Sequence, residues 1–317
     1  MKKGLFGVDV GGTTIKMGLF STTGELIEKW EIRTDIEGEG RHILPDIAAA
    51  IQKKCHEKGW TASDVLGIGI GVPGPVTSDG TVLKCINLGW GVFSVASVLE
   101  GLTGIPSYAG NDATVAALGE TIAGGGFGCK NSVMATLGTG VGGGIVIDGN
   151  IVYGVTGAGG EIGHIHVCDD EDTPCGCGNF GCLEQYASAT GFLRMAKRLL
   201  WESDEPSLMR NIPHDQLTAK DVFDCAKAHD PLADRAVSIC CEYLGRALAI
   251  IANIVNPELF IIGGGVSKAG QILIEKTEPV FQKYAFHACR QTKFVLASLG
   301  NDAGIYGAAH LVLSSQK

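Results

Sequence analysis

Positive charge is scarce in this sequence. Its 317 residues include 25 lysines and arginines against 34 aspartates and glutamates, which gives a formal net charge of -9. Proteins that bind nucleic acid need a basic face for the phosphate backbone, so this balance argues against nucleic acid as a partner. It is compatible with a phosphorylated small molecule, because a bound cation and backbone N–H groups can neutralise phosphate locally.

Long apolar runs and the commonest phosphate-binding motif are also missing. No apolar run reaches the ~18 residues that cross a bilayer, and Met1-Lys2-Lys3 does not begin a secretory signal. A P-loop requires a Gly-Lys pair, and none occurs. Eleven cysteines, an odd number, are typical of a reducing compartment. We therefore predict a cytoplasmic protein with no membrane partner and with a phosphate site of another kind.

Glycine, by contrast, is abundant, with 47 residues gathered in clusters after hydrophobic runs. The clusters at 11–12, 138–144 and 263–265 each follow a predicted strand, where glycine lets backbone N–H groups approach a phosphate. The first joins the predicted strands 4–10 and 15–20, and the second joins 132–137 and 145–148. This repeated arrangement, with predicted helices between the strands, indicates an α/β protein with a duplicated architecture.

Two segments match the dinucleotide fingerprint by spacing alone. They are Gly138-x-Gly140-x-x-Gly143 and Gly69-x-Gly71-x-x-Gly74. A true fingerprint opens a helix within a βαβ unit. The first match runs into the predicted strand 145–148 and the second contains Pro73, so we discount both.

Two aspartates stand at predicted strand ends. Asp9 lies beside the first glycine turn, where a carboxylate could hold Mg²⁺ directly or through water. Asp112 follows Asn111 at a strand-to-helix junction. Asp112 is either the N-cap of that helix or, with the amide of Asn111 beside it, a general base for a hydroxyl nucleophile. Position alone does not separate the two.

Residues 157–185 hold four candidate metal ligands, namely His164, Cys175, Cys177 and Cys182. Three thiolates and one imidazole suit a closed tetrahedral zinc site, which leaves no open position for substrate. Buried free cysteines are the alternative, but the polar, glycine-rich flanks favour the metal. His166 competes with His164 as the fourth ligand, and we prefer His164 because it follows a tight turn directly. The metal would act as a structural staple.

The sequence resembles the ROK family (repressors, open reading frames, sugar kinases), and most closely its bacterial glucokinases. The motifs that carry the resemblance occur in this order: Asp9-x-Gly11-Gly12-Thr13-x-x-Lys16, Gly110-Asn111-Asp112-Ala113, Gly138-Thr139-Gly140-x-Gly142-Gly143-Gly144, Gly160-Glu161-x-Gly163-His164, Cys175-x-Cys177-Gly178-x-x-Gly181-Cys182-x-Glu184 and Gly263-Gly264-Gly265-Val266-Ser267. The cysteine motif is the most specific of them.

The resemblance implies an actin-like ATPase fold, also called ribonuclease-H-like or hexokinase fold, with two α/β lobes around a cleft. We expect residues 1–112 and 303–317 in the small lobe and 113–302 in the large one. It also implies ATP and Mg²⁺ as cofactors beside structural Zn²⁺, and a homodimer. Asp112 is then similar to the catalytic base. The residues similar to sugar contacts are Asn111, Asp112, Glu161, His164 and Glu184, and those similar to nucleotide contacts are Asp9, Gly11, Gly12, Thr13, Lys16, Gly138, Thr139, Gly140, Gly264 and Gly265.

The implied activity is phosphorylation of glucose to glucose 6-phosphate. Other kinases of the family, acting on N-acetylmannosamine, N-acetylglucosamine or fructose, are the nearest alternatives. A sugar-responsive repressor is less favoured, because such relatives carry a winged helix-turn-helix segment first and this sequence enters its first predicted strand by Leu5. If zinc fixes the sugar contacts, loss of Cys177 should weaken sugar binding before ATP binding.

Overall fold

The computed structural model describes residues 2–316. Contacts divide the chain into two compact units. The first comprises the chain up to Lys130, Gly144–Gly160 and the chain from Ser298 onward, and the second comprises Asn131–Gly143 and Glu161–Ala297. Each unit has helices of its own, and the first unit contains a complete five-stranded sheet.

The strands have the following bounds: β1 Gly4–Val10, β2 Thr14–Phe20, β3 Leu26–Arg33, β4 Val65–Val72, β5 Thr81–Val82, β6 Phe93–Ser94, β7 Ser107–Asn111, β8 Ser132–Leu137, β9 Val141–Ile147, β10 Asn150–Ile151, β11 Leu259–Gly263 and β12 Lys293–Leu296. The helices are α1 Glu37–Gly40, α2 Ile43–Lys58, α3 Val95–Thr103, α4 Asp112–Ala123, α5 Glu184–Ala187, α6 Ala189–Glu202, α7 Ala219–Lys227, α8 Pro231–Val255, α9 Gln271–Tyr284 and α10 Ala303–Ser314.

The first unit is built on a five-stranded sheet in the order β3-β2-β1-β4-β7. β1 to β3 form an antiparallel meander, and β4 and β7 then run parallel to β1. The glycine turn at 11–12 therefore joins two antiparallel strands, as predicted. Because parallel strands end at the same edge of a sheet, β1 delivers Asp9 and β7 delivers Asn111 to that edge.

Glycine in β1 and β4 has a packing reason. α10 lies so close to the sheet that a Cβ added at Gly7 would collide with the carbonyl oxygen of Ile305, and one at Gly69 with that of Ala308. Gly69 belongs to the dinucleotide-like spacing in β4, and this strand leads into no helix-opening turn. The match at 69–74 is therefore not a dinucleotide-binding turn, in agreement with the sequence analysis.

In the second unit, β11 lies between β8 and β12 and runs parallel to both. α8 is its central helix, and Leu244, Leu248 and Val237 on its inner face are fully buried. Among the described residues, α8 alone is long and apolar enough to cross a membrane by length and composition, yet 56% of that stretch is buried within the protein. Its hydrophobicity is accounted for by core packing.

The division of the chain differs from the sequence-based boundaries in one respect. Residues 113–130, 144–160 and 298–302, which we expected in the large lobe, cluster with the first unit. The physical reason is α4, which packs against α10 through glycines. A Cβ added at Gly119 would collide with the carbonyl oxygen of Ala303, and one at Gly307 with that of Val115.

Candidate active site

Asn111 and Asp112 lie where β7 passes into α4. Asn111 is the N-cap, because its Oδ1 accepts hydrogen bonds from the backbone N–H and the hydroxyl of Thr114, both at 3.1 Å. Asp112 is the first helical residue, and its Oδ1 accepts from the N–H of Ala113 at 2.8 Å and from Nδ2 of Asn111 at 3.0 Å. The alternative that Asp112 caps the helix is therefore wrong. Its carboxylate is oriented by two donors, as a general base requires.

Asp9 adds a second carboxylate to this edge. Burial, and secondarily the charge of Asp112, raise the pKa of Asp9 to about 6, although Lys16 acts in the opposite direction. Lys16 lies opposite Asp9 in the register of β1 and β2, and its Nζ donates to the carbonyl oxygen of Asn301 at 2.9 Å. Gly304 leaves room for the carboxylate, since an added Cβ would overlap it. A divalent cation held near Asp9 would offset this accumulation of negative charge.

The first glycine turn is hydrogen-bonded by Thr34, the residue that follows β3. Thr34 donates its hydroxyl to the carbonyl oxygen of Gly11 at 2.7 Å and its N–H to that of Thr13 at 3.0 Å. Gly12 faces open space, with no atom within 4 Å of an added Cβ. A fixed turn with an exposed glycine and the hydroxyl of Thr13 suits a phosphate.

The second glycine turn lies in the second unit, between β8 and β9. Within it, the N–H of Gly138 donates to the carbonyl oxygen of Gly140 at 2.9 Å, and Thr139 is exposed at the tip. The N–H of Val141 donates to Oε2 of Glu184 at 2.9 Å. Glu184, which the resemblance places among the sugar contacts, thus has Oε2 engaged by the glycine turn, and its Oε1 accepts from Sγ of Cys175 at 3.6 Å.

The four predicted metal ligands lie together in the second unit. Their ligand atoms are all within 4.8 Å of one another. Cys175 Sγ is 3.7 Å from Nδ1 of His164, and Cys177 Sγ is 3.7 Å from Cys182 Sγ. A zinc tetrahedron with Zn–S bonds of about 2.3 Å has edges of about 3.8 Å, so this donor set has the spacing and chemistry for zinc. His166 is engaged elsewhere, by Asp169 and by a backbone carbonyl.

The ligand loop is tightened by glycine and held by an ion pair. Gly178 and Gly181 adopt left-handed backbone angles, with φ of 90° and 68°, which suit glycine. Arg194 on α6 reaches both carboxylate oxygens of Glu171, at 2.8 and 2.6 Å. Chiefly through this pairing, the pKa of Glu171 is lowered to about 2. Sequence reasoning missed the pair, because two residues 23 positions apart on a loop and a helix form no recognisable pattern.

Glu161 and His164 border the same loop. Glu161 is exposed, and its carbonyl oxygen accepts from the N–H of His164 at 3.2 Å in a short 3-10 turn. The predicted sugar contacts are therefore divided between the units: Asn111 and Asp112 belong to the first, and Glu161, His164 and Glu184 belong to the second.

A third predicted element, Gly264-Gly265, adjoins a cavity of about 360 Å³ in the second unit. Gly264 has a φ of 80°, and an added Cβ would come within 2.5 Å of the Leu137 carbonyl oxygen, so glycine is required there. Phe223 and Val266 contribute apolar walls, and Lys220, Lys227 and Lys268 are among its polar lining residues. Apolar walls with a few polar groups are typical of a small-molecule site.

The comparisons with known proteins agree with this architecture. The family model described as "ROK family" matches residues 5–315. A glucokinase of Halalkalibacterium halodurans is 47% identical over 309 residues, covering 96% of this chain and 94% of that protein. A ROK hexokinase structure from Thermus thermophilus superposes with a TM-score of 0.82 at 30% identity, covering 98% and 99% of the two chains.

A ROK family glucokinase structure from Streptomyces griseus, described as a complex with glucose and AMPPNP, superposes with a TM-score of 0.73. It is 32% identical and covers 97% of this chain and 98% of its own. The predicted actin-like α/β fold is confirmed by these likenesses, and so is the resemblance by motif. The chain belongs to the ROK family.

Proposed function

We propose that this protein is a glucokinase that transfers the γ-phosphoryl group of ATP to the 6-hydroxyl of glucose. The observation that carries the proposal is the pair at the start of α4, where Asn111 caps the helix and Asp112 is the first helical residue, with its Oδ1 held by the N–H of Ala113 and the amide of Asn111. It is supported by membership of a family whose similar relatives include glucokinases.

In this mechanism Asp112 accepts the proton of the sugar hydroxyl as the oxygen attacks phosphorus. The N–H of Ala113 and the amide of Asn111 hold one carboxylate oxygen in place, so little reorganisation is needed when the proton moves. Mg²⁺, when bound, would neutralise developing phosphate charge, and Asp9 is the carboxylate placed to hold it. Phosphoryl transfer depends mainly on such positioning and charge neutralisation.

The nucleotide contacts follow from the glycine segments. In the first unit, the turn of Gly11, Gly12 and Thr13 offers N–H groups and a hydroxyl to phosphate. In the second unit, Gly138, Thr139 and Gly140 form a similar turn, and Gly264-Gly265 adjoins the cavity suited to the base. Lys16 is a weaker candidate for a nucleotide contact, because its ammonium group already donates to Asn301.

The cluster of His164, Cys175, Cys177 and Cys182 would hold a structural zinc ion. Four protein ligands complete a tetrahedron, so the ion would shape the loop between Glu161 and Glu184 rather than take part in the chemistry. Metal analysis of the purified protein tests this: we expect about one zinc per chain. Markedly less zinc in fully active protein would contradict the assignment.

We further propose that the protein is a cytoplasmic homodimer. No disulfide joins any of its eleven cysteines in the structure, as expected of a reducing compartment. Light scattering should give about twice the 33.0 kDa of one chain. A monomer mass across the working concentration range would contradict the dimer.

A panel of sugars with ATP tests the substrate assignment. We expect the highest kcat/KM for glucose, ahead of N-acetylmannosamine, N-acetylglucosamine and fructose. A higher value for one of these three would transfer the assignment to that sugar and leave the kinase mechanism in place. Absence of phosphorylation of every sugar, with nucleotide bound, would contradict a kinase.

A further inference from the structure

The turn between β8 and β9 is held from outside by the segment that follows the cysteine cluster. Three hydrogen bonds connect residues 184–190 to the turn. They are Val141 N–H to Glu184 Oε2 at 2.9 Å, Ala189 N–H to the Gly138 carbonyl at 2.7 Å, and Thr190 Oγ1 to the Thr139 carbonyl at 3.1 Å. We call Glu184, Ala189 and Thr190 the turn clamp.

The turn has little to hold it by itself. Its only internal bond among the described contacts joins Gly138 to Gly140, and glycine gives the backbone more freedom than any other residue. The space beside Gly140 is filled by the clamp, since an added Cβ there would overlap the carboxylate of Glu184. The conformation of the turn therefore depends on the three outside bonds.

Two residues of the turn clamp, Ala189 and Thr190, lie at a capped helix N-terminus. Ala189 and Thr190 begin α6, whose N-cap Ser188 is 1% exposed and accepts from the N–H of Gly191 at 3.0 Å. Phe192, one turn into the helix, is fully buried. A helix end anchored in this way holds the first two residues in a defined position over the turn.

The clamp is also continuous with the metal-ligand loop. Glu184 follows Cys182 by two residues, and the next residue, Gln185, makes two hydrogen bonds to Cys182. Its Oε1 accepts from the N–H of Cys182 at 3.0 Å, and its own N–H donates to the carbonyl oxygen of Cys182 at 3.0 Å. A change in the position of Cys182 is therefore transmitted to Glu184 over a short, hydrogen-bonded path.

We propose that Glu184 and Thr190 are positioning residues for the phosphates of the nucleotide, and that the metal-ligand loop thereby controls nucleotide affinity as well as sugar affinity. The proposal rests on the proposed function, because it takes the 138–141 turn as a phosphate-binding element. It changes the sequence-based expectation that damage to the cluster acts on sugar binding first.

Two variants of Thr190 test the proposal, because one removes and the other keeps the hydroxyl that donates to the carbonyl oxygen of Thr139. Thr190→Val removes the hydroxyl at nearly constant volume, and Thr190→Ser retains it. Calorimetric titration with AMPPNP, without sugar, should give a three- to tenfold weaker affinity for Thr190→Val, roughly the effect of one hydrogen bond, and restored affinity for Thr190→Ser. The KM for ATP should rise in parallel, while the KM for glucose stays within about twofold.

Hydrogen exchange provides a second readout. Amides of residues 138–141 should exchange several-fold faster in Thr190→Val than in wild type, with unchanged exchange in α8 as evidence that the unit is folded. Equal AMPPNP affinity and equal exchange in both proteins would overturn the role of Thr190. Failure of the wild-type protein to bind AMPPNP at all would instead reject the proposed function.

Cys177→Ser tests the connection to the loop, with Cys129→Ser outside the cluster as its control. We expect Cys177→Ser to weaken AMPPNP binding and glucose binding together, each at least threefold, and Cys129→Ser to change neither. If Cys177→Ser weakened glucose binding alone, control of the nucleotide by the loop would be overturned.

Discussion

Glu120 offers the sharpest stability prediction in the first unit. Its side chain is fully buried in α4. Oε2 accepts from the N–H groups of Gly125 at 2.9 Å and Ser298 at 3.0 Å, and Oε1 accepts from Leu299 at 2.8 Å. The carboxylate thus ties the segment before α10 to α4, and α10 is the helix whose Gly304 accommodates Asp9.

Glu120→Gln keeps the shape but replaces one acceptor oxygen by an NH₂ donor. At least one buried N–H then faces another donor, at a cost of about 1–3 kcal/mol, and the remaining bonds lose their charge assistance. We expect the free energy of unfolding to fall by about 2–4 kcal/mol, which lowers the thermal midpoint by roughly 3–6 °C for a chain of this length.

Denaturant and thermal unfolding of ligand-free protein measure this effect. Glu100→Gln on the exposed side of α3 is the matched control and should stay within about 0.5 kcal/mol of wild type. A Glu120→Gln variant as stable as the control would refute the assigned role of the three bonds.

Three further predictions follow from the site. Because the pKa of Asp9 is raised from 3.8 to about 6 in the folded protein, its contribution to stability is complete below about pH 4. That contribution is lost as pH rises through about 6, by roughly 3 kcal/mol, and Asp9→Asn should abolish this slope in denaturant titrations. The pKa of Glu171 is lowered from 4.5 to about 2, so its stabilisation is present above about pH 4.5 and lost as pH falls through about 2. Because Arg194 is partly exposed, we expect the stabilisation from the ionised Glu171 to be only about 1–2 kcal/mol. Glu171→Gln should raise the pH of acid unfolding. Gly140→Ala should lower ligand-free stability by about 0.5–1.5 kcal/mol, because the Glu184 carboxylate must move away from the added Cβ and give up its hydrogen bond to the N–H of Val141. Gly138→Ala, whose added Cβ meets nothing closer than 3.9 Å, should leave thermal unfolding nearly unchanged, and equal destabilisation would contradict the clamp geometry.

The strands and glycine turns were predictable because their signals are local. Apolar runs ending in glycine predicted β1, β8 and β11, and the apolar run after the first glycine turn predicted β2. The short spacing of the ligand motif predicted which four side chains the structure brings together. The choice of His164 over His166 also rested on a local turn.

The features that were missed depend on distant residues or on one backbone angle. Glu120 contacts Ser298 across 178 positions, and no periodicity connects the two. Asn111 rather than Asp112 caps α4 because Asn111 has the extended backbone angles of an N-cap, with ψ of 143°. The break between α5 and α6 also depends on one residue, Ser188, whose extended backbone ends α5 and caps α6.

The most direct test of the account is turnover of Asp112→Asn with ATP and glucose. The amide fits the same space and can still bond to a sugar hydroxyl, but it cannot accept the proton. We predict that kcat falls by a factor of about 10²–10⁴, while glucose affinity measured by calorimetry stays within a few-fold of wild type. Turnover close to that of the wild-type enzyme would contradict Asp112 as the base.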